Sequence, residues 1–142
     1  MVEPTLDVLG RLPASFSEVA YVDSRFPGAP GVSGLEDGAN CQLFAFEVLR
    51  FFGLQVPPLR SSELWEDSIA TTVVEQLAPL DLLLFNRTED AWGAHVGVSI
   101  GQEQVLHLAK SVGRPAVWNL DDFAARPEYR VLVGVKRVRQ HL

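Results

Sequence analysis

The sequence predicts one α+β domain over residues 1–142, with helices first and a central antiparallel sheet of about five or six strands after them. Two observations carry this. Apolar residues recur with helical period up to about Asp67, and from Leu80 onward they fall into short strand-like runs. A length of 142 residues, 47% of them hydrophobic and 21% charged, suits one globular domain with a sizeable core.

Ser15-Phe16-Ser17-Glu18 has capping-box spacing and predicts a short helix to about Phe26, with Tyr21 on it. Pro27-Gly28-Ala29-Pro30-Gly31 breaks regular structure, and a loop runs on through Glu36-Asp37-Gly38. Asn40 to Phe52 carries the strongest helix signal. Leu43, Phe44, Phe46, Val48, Leu49, Phe51 and Phe52 give an apolar surface too broad for an exposed helix, so it should be central and mostly buried. Gly53 is a left-handed stop, and Pro57-Pro58 confirm the break. Ser61 or Ser62 caps a short helix through Asp67. Leu80 to Phe85, Ala94 to Ile100, Glu103 to Leu108, Ala116 to Trp118 and Tyr129 to Val138 read as strands, with a short helix from Asp121 to Arg126.

Composition excludes several functions. A net charge of −6 argues against nucleic acid or an anionic membrane surface as the partner. No segment approaches the roughly 18 apolar residues of a membrane span. The N-terminal stretch carries acids where an export signal needs basic residues, which predicts a cytosolic chain. A single cysteine rules out an internal disulfide framework and any multi-cysteine zinc site. No phosphate loop or dinucleotide fingerprint occurs, and neither metal nor cofactor is expected. The sequence sets no oligomeric state.

Cys41 stands where the loop meets the buried helix. Backbone N–H groups there are unpaired and the helix dipole favours negative charge, so a low thiol pKa is expected. The same amides can hold an oxyanion beside the sulfur. His95 and His107 flank a hairpin. With Ile100, Gly101 and Gln102 as a three-residue loop, His95 faces His107 directly and both rings share a face. With a two-residue loop they point to opposite faces, and a bulge at the glycine favours the former. Gly97 and Ser99 leave room on the His95 side, while Val96, Val98 and Ile100 form core on the other. His95 is then the general base for Cys41, and His107 holds its ring in the needed tautomer.

Tyr21, Asn40 and Trp92 are candidates for contacts with substrate, and Asn40 is also the natural cap of the Cys41 helix. Trp65 and Trp118 read as core. Asp121 and Asp122 read as helix-cap residues, and Lys136, Arg137 and Arg139 as a solvated strand face. His141 is given no role.

The order of these pieces resembles the NlpC-type cell-wall peptidases, papain-like cysteine peptidases and amidases. The matches are Asp37-Gly38-Ala39-Asn40-Cys41, then Leu80-Asp81-Leu82-Leu83-Leu84-Phe85, then His95-Val96-Gly97-Val98-Ser99-Ile100-Gly101, with His107 after them, and they span about Tyr21 to Val138. The chain departs from the family at Asn40, where an aspartate is usual, at Gln42, usually serine, and at Leu80, usually glycine. Ser24 to Pro30 replaces an aromatic-glycine stretch. The segments also echo the lecithin:retinol acyltransferase-like enzymes, but there the histidine block precedes the cysteine. The resemblance implies a papain-like fold and a Cys41–His95–His107 triad. It further implies hydrolysis of an amide in a short peptide through a thioester, with a cell-wall fragment as the possible substrate. The alternatives are a catalytically silent binding or assembly module, and an acyltransferase or amidase of the second branch.

Overall fold

The computed structural model describes residues 6–139, so His141 lies outside the described residues. The chain runs through α1 (Val8–Arg11), a 3-10 turn (Ala14–Glu18), α2 (Cys41–Phe51), α3 (Ser61–Glu66), then the strands β1 (Thr71–Val74), β2 (Leu82–Asn86), β3 (His95–Gly101), β4 (Gln104–Leu108) and β5 (Pro115–Asn119). It ends with α4 (Leu120–Ala124), a 3-10 turn (Pro127–Tyr129) and β6 (Val131–Val138). The six strands form one antiparallel sheet in the order β1-β6-β2-β3-β4-β5. This is the α+β architecture expected from the sequence.

Side-chain alternation assigns the two faces of the sheet. Leu82, Leu84, Val96, Val98, Leu106 and Leu108 meet α2, which buries Leu43, Phe44, Ala45, Phe46, Val48 and Leu49. Each fully buried large side chain here contributes roughly 1.5–3 kcal/mol, so α2 is fixed firmly on the sheet. Gly53, at φ 84°, ends the helix as expected. Leu83, Phe85, Val105 and Val135 point the other way and are covered by Phe123 of α4. The sheet is therefore covered on both faces, by α2 on one and by the later α4 on the other.

Three expectations are corrected. The helix from Ser15 to Phe26 is only the short 3-10 turn. Tyr21 lies instead in a parallel bridge with Ala39, with Val22 N–H donating to Ala39 C=O at 2.9 Å and Tyr21 N–H to Gly113 C=O at 3.1 Å. Long-range pairing overrides the local capping pattern. The strand β1, Thr71–Val74, was not expected; its Thr-Thr-Val-Val segment pairs with the β6 edge. Lys136 departs from the solvated face expected of this strand, whereas Arg137 and Arg139 are exposed as expected. Lys136 is buried, with Nζ donating to the carbonyls of Trp65 and Asp67, and Arg137 grips the buried Asp81 carboxylate through Nε at 2.8 Å and Nη2 at 2.9 Å.

Candidate active site

Asn40 builds the start of α2. Its Oδ1 accepts the N–H of Leu43 at 2.8 Å and its carbonyl accepts that of Phe44 at 3.1 Å. That leaves the N–H groups of Cys41 and Gln42 without helical partners. These amides and that of Val96 on β3 act on the sulfur to favour its charged form. The β3–β4 register pairs run outward as far as Val98↔Leu106. As a whole residue Cys41 is partly exposed. Asn40 is buried and committed to the cap.

The expected low thiol pKa is not found. Burial pushes the Cys41 thiol up, and this outweighs the opposing pull of the Val96, Gln42 and Cys41 amides and of the Arg60 guanidinium. The resting site therefore holds a thiol.

His95 and His107 do share one face, and their rings are joined by a hydrogen bond between His95 Nε2 and His107 Nδ1 of 2.8 Å. The hairpin achieves this differently from the expected three-residue loop. Gln102 and Glu103 form a two-residue turn with φ 54° and 60°, pairing Gly101 with Gln104. Alone, that turn would send the imidazoles to opposite faces. A bulge between Ser99 and Gly101 inserts one residue and restores the common face. His107 then stands one pair outward from Leu106, beside Gly97, and reaches His95 diagonally. A Cβ on Gly97 would lie 3.3 Å from His107 Cβ and 2.5 Å from Val105 Cγ1, so glycine is required for this approach.

The imidazole pair lies in an aromatic enclosure. Tyr129 stacks on His95 with centroids 4.7 Å apart at 31°, and Trp118 presents an edge to His107 at 4.2 Å. Phe123 lies 4.7 Å from His107, and Arg126 covers Trp118 at 4.3 Å. Burial, reinforced by His107, holds the His95 pKa well below the ordinary value; burial, reinforced by Arg126, does the same to His107. Both rings are neutral near pH 7. For His95 Nδ1 to accept a proton, Nε2 must carry the hydrogen and donate to His107 Nδ1. His107 then has its own proton on Nε2, the atom that is buried without a partner.

Tyr21 is half-buried and its hydroxyl donates to Asp23 Oδ1 at 3.1 Å. Burial first, then the negative charge on a Cys41 thiolate and the Asp23 contacts, raises its pKa. Tyr129, missed in the sequence, is the ring stacked on His95: burial raises its pKa, Ser111 opposes the rise, and the charges of Glu128 and of a Cys41 thiolate add to it. Its position at the end of the Pro127–Tyr129 turn, ahead of β6, was the signal available. Trp92 is 75% exposed on a pinned loop. Asn86 Nδ2 donates to the carbonyls of Asp90 and Trp92 at 2.8 and 3.0 Å, and Gly93 N–H donates to Ser61 Oγ at 3.0 Å. Trp118 packs, as expected, on core, in the cluster around Phe123, where it borders His107. A cleft of about 1000 Å³ between Phe16, Leu35 and Phe51 lies at the other end of α2 and takes in neither Cys41 nor the histidines. Among the described residues no three His, Cys, Asp or Glu side chains gather to hold a metal.

No protein-family model matches the sequence, and no curated protein matches it. Solved structures do match. An NlpC/P60 family protein from Bacillus cereus aligns with TM-score 0.55 at 21% identity over 72% of this chain, which spans only 32% of that protein. The NlpC/p60 domain of the peptidoglycan hydrolase SagA aligns with TM-score 0.56 at 20% identity over 83% of this chain and 91% of that one. The peptidoglycan hydrolase RipB from Mycobacterium tuberculosis aligns with TM-score 0.55 at 15% identity over 99% and 75%. A cysteine-led helix on a six-stranded antiparallel sheet, aligned over most of its length with these structures, gives the chain the NlpC/P60 fold.

Proposed function

We propose that the protein is a cysteine hydrolase that cleaves an amide bond in a short peptide, with a cell-wall-derived peptide as the substrate class. The observation that carries this reading is the 2.8 Å bond between His95 Nε2 and His107 Nδ1, on the sheet against which the Cys41 helix packs. The peptidoglycan hydrolases among the structural neighbours support the substrate class.

The resting thiol and neutral His95 set the order of steps. As the sulfur attacks the amide carbonyl, the thiol proton passes to His95 Nδ1, an S–C bond forms and the carbonyl π electrons move to oxygen. The free amides of Cys41 and Gln42 donate to that oxyanion. The imidazolium keeps its Nε2–H on His107, so the ring need not turn. It then protonates the departing amine as the C–N bond breaks. Water, deprotonated by the same ring, attacks the thioester and releases the acid and the thiol. Trp92 and Tyr21 border the substrate path, the indole as an exposed platform and the phenol beside the sulfur.

Digestion of soluble cell-wall peptides, followed by mass spectrometry, tests the proposal. We expect new amine and carboxylate termini with the purified protein and none with Cys41→Ala. Equal products from both would refute the assignment of Cys41. The raised thiol pKa favours a second reading, a binding module with a spectator cysteine, for which neither protein would yield products.

A further inference from the structure

Arg60 is not part of the triad, yet its own stacking and the contacts of its two chain neighbours tie its segment to the segments that carry Cys41 and His95. Gln42, next to Cys41, donates from Nε2 to the carbonyl of Leu59 at 3.3 Å. The Arg60 guanidinium lies over the Phe26 ring, 4.2 Å from its centroid, and the residue before Phe26 accepts the Asn40 N–H on its carbonyl at 2.8 Å. Ser61 accepts the N–H of Gly93, two residues before His95. Arg60 therefore stands between Leu59, bonded to the cysteine segment, and Ser61, bonded to the loop that leads to His95. It makes no ion pair among the described residues, although the chain has 18 acids. Its nearest acid in sequence, Glu63, turns its carboxylate to the Arg60 backbone N–H at 2.9 Å. A guanidinium stacked on an aromatic ring keeps its planar fork of N–H donors free, and that fork fits a carboxylate bidentately.

We infer that Arg60 is a carboxylate-recognition residue, and that the protein prefers substrates bearing a carboxylate within a short reach of the scissile amide. This rests on the cysteine-hydrolase reading for its meaning, but the anion site can be tested without any turnover. The influence of Arg60 on the Cys41 thiol agrees with such a position.

The test compares alkylation of Cys41 by iodoacetate and by iodoacetamide, reagents of similar size that differ in the carboxylate. In each case sulfur displaces iodide, and intact-protein mass spectrometry reads the rate. The ratio of the two rates cancels any change in thiol pKa. We expect Arg60→Gln to lower the iodoacetate-to-iodoacetamide ratio about fivefold, the upper end of what a solvent-exposed ion pair contributes. Arg60→Lys should keep part of the preference. In the unaltered protein the ratio should fall as sodium chloride rises from about 0.05 to about 0.5 M, which needs no variant to fold. A ratio unchanged within twofold in Arg60→Gln, or insensitive to salt, overturns the inference. If the salt and variant effects appear while no peptide is cleaved, the anion site stands and the hydrolase reading fails.

Discussion

His107 stands level with Gly97, and it nevertheless bonds His95 across 2.8 Å by reaching diagonally along the sheet. The bond occupies His95 Nε2, and Nδ1 is the atom that takes the thiol proton in the proposed mechanism. Replacing His107 by leucine removes the acceptor and keeps the bulk. We expect kcat to fall about 100-fold or more with KM little changed, because the loss is of ring orientation in the reacting state. Gln at the same position restores an acceptor oxygen and should recover part of the rate. Steady-state kinetics of the two variants check this, and a leucine variant within tenfold of the original would contradict it.

Gly97 is the steric condition for that reach. Its backbone is ordinary extended strand, so an added methyl acts only through space, against Val105 and His107. Gly97→Ala should cost about 1–3 kcal/mol by overpacking and also push β4 outward, lengthening the imidazole pair. The expected signature is a lower kcat at temperatures where circular dichroism reports a fully folded protein.

The buried imidazoles make stability pH-dependent, with a definite sign. Both pKa values are depressed in the folded chain, so below about 6.5 the unfolded chain takes up protons that the folded one refuses. The contribution is whole above about pH 6.5 and is lost as pH falls towards the folded values, by up to about 1.4 kcal/mol per pH unit for each histidine. Urea unfolding between pH 7.5 and 5 should show this slope, and His107→Leu should roughly halve it. A flat profile in the unaltered protein would contradict the depressed values.

What was legible in the sequence was what local pattern controls. α2 could be read because its apolar surface, the Asn40 cap and the Gly53 stop agree. The common face of His95 and His107 could be read because the side-chain period of a strand is two. Their register could not, since Gln102 and Glu103 give no hint of adopting positive φ. Long-range contacts erased the rest. Tyr21 was drawn into a bridge with Ala39, and Lys136 found carbonyls near residue 66, some seventy positions away. Tyr129 and Arg60 look ordinary in sequence and acquire their places only when α4, α3 and β3 are assembled.

Leu80 occupies a position where the resembling family has glycine, and its φ of 73° explains that preference. A leucine in this region is strained by roughly 1–2 kcal/mol, which its partial packing against the core offsets. Leu80→Gly should therefore change stability by less than about 1 kcal/mol, where a comparable core leucine would lose several. Chemical denaturation checks it; a loss above about 2 kcal/mol would contradict the strain.

The most direct measurement of the central claim is the acylation rate of Cys41 by p-nitrophenyl acetate, in the unaltered protein and in His95→Ala, read at neutral pH by nitrophenol release and by the mass of the acetylated chain. If the imidazole takes the proton of a resting thiol, removing it should slow acetylation of Cys41 about 100-fold or more. Equal rates in the two proteins would mean that His95 does not serve the cysteine.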